Sequence, residues 1–174
     1  SVKFINLSVE ELTDTLIEQF NKDMDVSGKK GHSALNIDYK VIANNDTWFT
    51  LRISVNEIAA SSNTYYEFYH IDKANGHIAQ LSNLFTSSDY VKVISDNIHA
   101  QISKQMEDDS SLIYWDNAES PEKGFHNIDR NQNFYFSQEG NLVIVFDKYE
   151  VAPGYMGCPE FEIPRSIYSD YLKN

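Results

Sequence analysis

The sequence predicts one α+β domain, residues 1–174, in which two main helices pack on an antiparallel sheet of hairpins. Two segments repeat apolar residues every three or four positions, which is the spacing of one helix face. Several shorter segments alternate apolar and polar residues, as half-buried strands do, and turn residues such as Asn75-Gly76 separate them. With 41% apolar residues, a chain of this length can bury a core of its own.

The first helix is predicted over residues 8–24. Ser8 and Glu11 have the spacing of a capping box, in which each side chain bonds the backbone near the other. Gly28 and Gly31 are predicted to end the helix. Its apolar face consists of Val9, Leu12, Leu16, Phe20 and Met24.

Three strands and a short return strand are predicted next. Alternating residues and turn signals place them at 35–41, 49–55, 64–72 and 77–81. His70 and His77 flank the Asn75-Gly76 turn, and they could face each other across the hairpin. A cross-strand polar pair fits them better than a metal site.

The second helix is predicted over residues 88–106, with Ser87 or Ser88 as its N-cap. Its apolar stripe is formed by Val91, Ile94, Ile98, Ile102 and Met106. The segment from Leu112 to Arg130 has no clean period and is predicted to be a long surface excursion, mobile or facing a partner.

A last hairpin joins residues 133–137, "NFYFS", to residues 142–150, "LVIVFDKYE", through a turn at 138–141. Residues 142–146 of the second strand are apolar at every position, which predicts a central strand covered on both faces. Between Pro159 and Pro164, the residues "EFEI" are predicted to form a short edge strand, and residues 166–173 a terminal helix.

The charge of the chain is one-sided, with 14 Lys and Arg against 26 Asp and Glu, a net charge of −12. Nucleic acid is therefore excluded as an expected partner, because phosphate binding needs clustered positive charge. A basic protein, or no charged partner, fits better, although net negative charge also simply aids solubility.

The sequence lacks the patterns that are typical of catalysis and metal binding. No nucleophile elbow, phosphate-binding loop or zinc-hydrolase motif occurs, and the histidines do not have zinc-ligand spacing. Cys158 has no second cysteine to pair with and is predicted to be an inert thiol, while Glu160 and Glu162 are predicted to be solvated charges on one strand face. We therefore expect no enzyme activity, no metal and no cofactor.

Aromatic residues are abundant: 11 Tyr, 10 Phe and 2 Trp. Exposed aromatic side chains often anchor protein interfaces, although these residues could equally fill crevices of an aromatic-rich core. Neighbouring turn residues predict exposure for Tyr65, Tyr66, Tyr114, Trp115 and Tyr155.

Two stretches resemble a known family. Residues 134–164, "FYFSQEGNLVIVFDKYEVAPGYMGCPEFEIP", are similar to the C-terminal domain of RsiV-like, lysozyme-sensing anti-sigma factors, a domain also attached to PdaC-like peptidoglycan deacetylases. Residues 71–106, which include "IDKANGHIAQLSNLF", resemble a second hallmark of that family. Many relatives have Gly-Gly-Ala-His where this chain has residues 60–63, "ASSN". The signature positions are Tyr149, Glu150, Ala152, Pro153, Tyr155, Gly157, Pro159, Glu160, Phe161, Ile163 and Pro164.

The resemblance implies the extracellular sensor of a membrane-anchored anti-sigma factor. Lysozyme would be its ligand, and binding would start the proteolysis that releases an extracytoplasmic-function sigma factor held by a cytoplasmic segment. The chain opens with "SVKF" and has no stretch of about 20 apolar residues, so we expect its membrane anchor to lie outside this sequence.

The expected contact residues form two patches. Pro153, Gly154, Tyr155 and Met156 form the first, because proline lowers the entropy lost on binding and tyrosine supplies an anchor. Ser61, Ser62 and Asn63 form the second. The alternative reading is a non-catalytic cell-wall module of a peptidoglycan-modifying protein, in which exposed aromatic rings would stack on glycan.

Overall fold

The structure, a computed structural model, describes residues 2–27, 33–59, 61–115 and 124–173. The chain divides into an N-terminal unit, Ser1–Ile78, and a C-terminal unit, Ala79–Asn174, each described here by itself. Helices and two antiparallel sheets, of four and three strands, confirm the α+β class, although one sheet was expected. The single domain predicted over residues 1–174 stays a prediction.

Helix α1, Val2–Ser27, begins six residues before the predicted start. Ile5 is only 5% exposed and lies one turn before Val9, so the apolar stripe and the helix extend back to the first residues. Ser8 lies inside the helix, and the predicted capping box at its start is therefore wrong. Gly28 and Gly31 lie outside the described residues.

The predicted strands of the N-terminal unit form an antiparallel sheet in the order β1-β2-β3-β4, with the return strand shortened from 77–81 to two residues. One face of this sheet packs against α1 through the buried residues Leu51, Ile53 and Val55. Gly76 has φ +71°, a backbone conformation that favours glycine, in the turn before β4. The strand bounds are β1 Ala34–Asn44, β2 Trp48–Ile58, β3 Ser62–Asp72 and β4 His77–Ile78.

The predicted pairing of His70 with His77 is wrong. Strand β4 has only two residues, and its register places His77 opposite Asp72. His70 is buried instead beside β2, where its Nδ1 lies 3.1 Å from Thr50 Oγ1.

In the C-terminal unit, strands β5 Phe134–Phe136, β6 Leu142–Val145 and β7 Glu160–Ile163 form an antiparallel sheet in that order. All four residues of β6 are buried, which confirms the central strand. Strand β7 lies at the edge between its two prolines, as predicted. Helix α3, Arg165–Tyr168, and a 3₁₀ turn, Ser169–Tyr171, follow it.

Helix α2, Asp89–Asp108, packs in the core of the same unit. Ser88 is its N-cap residue, as predicted, although its side chain makes no capping hydrogen bond. Ile94, Ile98 and Ile102 are fully buried, whereas Met106 is 37% exposed, so the buried stripe ends before the last turn.

The described residues of the segment between α2 and β5 do not form the surface excursion that the sequence predicts. Tyr114, Phe125 and Ile128 are all less than 10% exposed and belong to the core of the C-terminal unit. The Ile128 N–H donates to Ser95 Oγ of α2 at 3.0 Å. An irregular segment can bury single side chains although its apolar residues show no regular spacing. Residues 116–123 of this segment lie outside the described residues.

Candidate partner-binding site

The candidate site begins with a turn directly after β6. The Glu150 carboxylate accepts hydrogen bonds from the Asp147 N–H at 2.7 Å and from Gln132 Nε2 at 3.0 Å. Gln132 Nε2 also donates to the carbonyl of Val145, the last residue of β6. These bonds attach the turn to the end of the central strand.

Glu150 has an unusual protonation equilibrium. Loss of water around its carboxylate raises its pKa above the ordinary 4.5, and the charges of Asp147 and Asp129 raise it further. The hydrogen bonds from Asp147 and Gln132 act in the opposite direction but do not reverse the shift. The ionised form of Glu150 is therefore less favourable in this turn than it is in water.

Tyr149 lies in this turn with φ +72°, which makes it the one non-glycine residue of the described ranges in the left-handed region. Its ring lies against Gly154, where any Cβ atom would overlap it. Lys148 Nζ lies 5.1 Å from the centre of the same ring. Gly154 does not have a positive φ, so its backbone conformation does not require glycine. Glycine is required there because the Tyr149 ring lies too close for any side chain.

The next residues form a 3₁₀ turn, Gly154–Met156, with Pro153 as its N-cap at φ −59° and ψ 151°. The Met156 N–H donates to the Pro153 carbonyl at 2.9 Å. Gly157 ends the turn at φ +69°, with open space where a Cβ would stand. Proline and glycine thus set the backbone on both sides of Tyr155.

Two hydrogen bonds fix this loop against the segment that follows α2. The Trp115 N–H donates to the Val151 carbonyl at 2.8 Å, and Tyr155 Oη donates to the Ser111 carbonyl at 2.9 Å. Val151 and Ala152 are buried in the core. The loop is therefore anchored at its base and again at the hydroxyl of Tyr155.

Of the first predicted patch, Tyr155 is the exposed member, with 65% of its surface accessible. Pro153 and Gly154 are half-buried, and Met156 is half-buried and packs against the core. The assignment of these four residues to partner binding stays a prediction.

The other predicted exposed aromatic residues are corrected. Tyr114 is buried, and Tyr65, Tyr66 and Trp115 are half-buried. Tyr149, 48% exposed, was missed because "LVIVFDKYE" indicates one continuous strand, whereas β6 ends at Val145.

The second predicted patch lies where β2 turns into β3 in the N-terminal unit. Ser61, Ser62 and Asn63 are all exposed there, and the Ala59 N–H donates to the Ser61 carbonyl at 3.0 Å. Ser62 lies opposite Ile58, which is 37% exposed. This patch also stays a prediction.

The cysteine and the paired carboxylates near the loop are in environments that do not activate them for catalysis. Burial raises the pKa of the Cys158 thiol, which disfavours the reactive thiolate, in agreement with the inert thiol expected. Glu160 and Glu162 are exposed on one face of β7, as predicted, and Glu160 accepts a hydrogen bond from Tyr135 Oη at 2.6 Å. Across the described ranges, no three His, Cys, Asp or Glu side chains group to hold a metal ion.

The chain is similar to a protein family and to a bacterial anti-sigma factor. Residues 82–166 match the family described as "Protein of unknown function (DUF3298)". The chain is 37% identical, over 176 residues, to the protein named Anti-sigma-V factor RsiV from Bacillus subtilis (strain 168). The match covers 95% of this chain but only 61% of the length of that relative.

No helix among the described residues is long and apolar enough to span a membrane.

Two crystal structures share the fold. A member of the DUF3298 family from Bacteroides fragilis superposes with a TM-score of 0.66 at 21% identity, covering 95% of this chain and 68% of that one. A DUF3298 family protein from Pseudomonas aeruginosa PAO1 gives a TM-score of 0.62 at 13% identity, covering 88% and 68%. The predicted resemblance to RsiV is confirmed: residues 82–166 match the DUF3298 family, and nearly the whole chain is similar to RsiV.

Proposed function

We propose that this chain is the extracellular sensor of a membrane-anchored, RsiV-like anti-sigma factor, and that it binds lysozyme without catalysing a reaction itself. Binding would start the regulated proteolysis that releases an extracytoplasmic-function sigma factor. The proposal rests first on the 37% identity to RsiV over 95% of the chain.

The observation that supports ligand binding most directly is the presentation of Tyr155. Its side chain is 65% exposed, yet its hydroxyl is bonded to the Ser111 carbonyl and its backbone lies in a turn set by Pro153 and Gly157. A large ring held in one place loses little conformational entropy when a partner covers it. This property is typical of residues that dominate binding energy.

The charge of the chain supports a basic ligand. A net charge of −12 attracts a basic protein such as a lysozyme of the chicken type over distances longer than direct contact. Such attraction raises the association rate.

Isothermal titration calorimetry with chicken-type lysozyme tests the proposal. We expect a one-to-one complex, and Tyr155→Ala should weaken it by at least about tenfold, as expected for a binding hot spot. Tyr39→Ala is the matched control, because Tyr39 of β1 is equally exposed, at 70%, in the N-terminal unit. No heat of binding at low salt with folded wild-type protein would refute the proposal.

A cell-wall accessory module is the second candidate. The exposed rings of Tyr149 and Tyr155 favour it, since aromatic rings also stack on glycan. Retention of the protein on purified peptidoglycan, lost in the Tyr149→Ala/Tyr155→Ala variant, would support the module. A lack of retention together with lysozyme binding would eliminate it.

A further inference from the structure

The segment that holds Tyr155 in place has exposed side chains of its own. Residues 111–115 run beside residues 151–155, because the Tyr155–Ser111 and Trp115–Val151 hydrogen bonds join the two segments at both ends. A partner that covers Tyr155 therefore lies next to Ser111, which follows the end of α2. We call residues 107–113 the α2-exit strip.

Ile113 is the apolar member of this strip. It is 45% exposed, whereas its neighbours Leu112 and Tyr114 turn inward, Leu112 packing against the core and Tyr114 being buried. The two inward neighbours fix the direction of the Ile113 side chain. An isoleucine that faces solvent here contributes little to the core but offers a rigid apolar contact.

The acidic members lie where a helix normally favours positive charge. Glu107 and Asp108 end α2, Asp109 is its C-cap residue, and all three are exposed. The last turn of α2 contains no basic residue. Unpaired carbonyl groups already make this helix end negative, so the carboxylates of Glu107 and Asp108 there work against helix stability. Local rules of stability are most often broken at functional positions.

Asp109 is linked directly to the Tyr155 contact. Its Oδ1 accepts hydrogen bonds from the Ser111 N–H at 2.9 Å and from Ser111 Oγ at 2.7 Å, and the carbonyl of the same serine accepts the Tyr155 hydroxyl. These bonds lower the pKa of Asp109, so it remains ionised. A negative charge thus lies one residue away from the exposed ring.

We propose that the α2-exit strip is the second half of the partner-binding surface, and that it selects a basic protein presenting an Arg or Lys side chain beside the group that covers Tyr155. The inference rests on the proposed function, because it adds residues to the surface proposed to bind the ligand. The cation would meet the carboxylates and the negative helix end, and Ile113 would pack against the aliphatic part of the same partner surface.

Charge-matched variants test the strip in the lysozyme titration. Asp108→Asn/Asp109→Asn keeps the oxygen that accepts from Ser111 but removes two charges. Glu139→Gln/Asp170→Asn removes two exposed charges of the same unit, and Glu139 lies in the turn at the opposite end of β6 from the Tyr155 loop. We expect the first variant to weaken binding about tenfold and the control less than about twofold, with Ile113→Ala giving about fivefold.

Stability separates this role from a structural one. Asp108→Asn relieves repulsion at the helix end, whereas Asp109→Asn weakens the hydrogen bonds from Ser111. These two effects oppose each other, so the double variant should unfold at a urea concentration close to that of wild type while binding less tightly. Equal losses of affinity in the acidic and control variants would show an effect of net charge alone and overturn the inference.

The two proposals fail in different ways. If wild type binds lysozyme and Tyr155→Ala weakens binding, but neither strip variant does, the strip is refuted and the proposed function stands. If wild type does not bind lysozyme, a tetra-arginine peptide is titrated against it by NMR. Shifts confined to residues 107–113 and Tyr155 would support a strip for another basic protein, and absent or evenly spread shifts would refute it.

Discussion

Gly154 and Gly157 stand three residues apart and are required for different physical reasons. The Tyr149 ring occupies the space where a side chain at Gly154 would begin, although the backbone there suits any residue. Gly157 has open space around it but adopts φ +69°, ψ −136°, which residues with a Cβ rarely adopt. One glycine thus allows a close contact, and the other allows a backbone conformation.

Paired substitutions separate these two requirements. We expect Gly157→Ala to lower the free energy of unfolding by about 1–3 kcal/mol through backbone strain. Gly154→Ala should cost about 1 kcal/mol, because the half-exposed Tyr149 ring can swing away. Adding Tyr149→Ala should restore most of the Gly154→Ala loss and none of the Gly157→Ala loss. Urea denaturation measures all four variants, and equal rescue of both glycine variants would contradict the assignment.

The raised pKa of Glu150 predicts a pH effect of definite sign. Between the ordinary value of 4.5 and the higher folded pKa, the folded state binds more protons than the unfolded state, so this group lowers stability as pH rises through that window. Glu150→Gln removes the titration and keeps one acceptor oxygen. The stability of wild type relative to Glu150→Gln should therefore decrease as pH rises above 4.5. A difference that is constant from pH 4 to pH 7 would contradict this prediction.

At the scale of elements, the start of α1 shows how packing decides the length of a helix. A capping box at Ser8 would begin the helix there, but Ile5 reaches the core of the N-terminal unit and the helix begins at Val2. Phe4, the adjacent residue, points to solvent and is 58% exposed. One buried side chain therefore stabilises the first turn and a half of the helix.

Substitutions in α1 test this explanation. Ile5→Ala should lower the free energy of unfolding by about 2 kcal/mol, since it removes a buried side chain near a helix end. Ser8→Ala and Phe4→Ala should each change it by less than about 0.5 kcal/mol, whereas a capping serine would cost about 1 kcal/mol. Chemical denaturation measures these differences, and a larger effect for Ser8→Ala than for Ile5→Ala would restore the capping box.

At the scale of the whole molecule, the dominant property is the net charge of −12. Dissolved salt screens long-range attraction, with a screening length of about 10 Å at 0.1 M. If the ligand is a basic lysozyme, added salt should therefore lower the association rate constant more than it changes the dissociation rate constant.

Stopped-flow kinetics measure this effect. We expect the association rate constant with lysozyme to fall by at least about tenfold between about 20 and 200 mM salt, and the dissociation rate constant to change much less. Glu139→Gln/Asp170→Asn, with two charges fewer, should associate slightly more slowly at low salt and equally fast at high salt. Association that does not respond to salt would show that the acidic surface does not steer this ligand.

The sequence by itself determined the features that depend on local pattern. Hairpins, the buried central strand β6, helix α2 and the acidic charge follow from apolar period, turn residues and composition, each read from residues close together in the chain. The exposure of Tyr155 was also predicted in this way, from the turn residues around it.

Only the tertiary structure decided the features that depend on distant residues. The burial of Tyr114, the early start of α1 and the contact of Tyr155 with Ser111 join residues that no local period relates. Tyr114 and Tyr155 follow similar turn signals, yet one is 9% and the other 65% exposed. The difference arises because burial depends on which elements pack together, and that packing is a property of the folded chain as a whole.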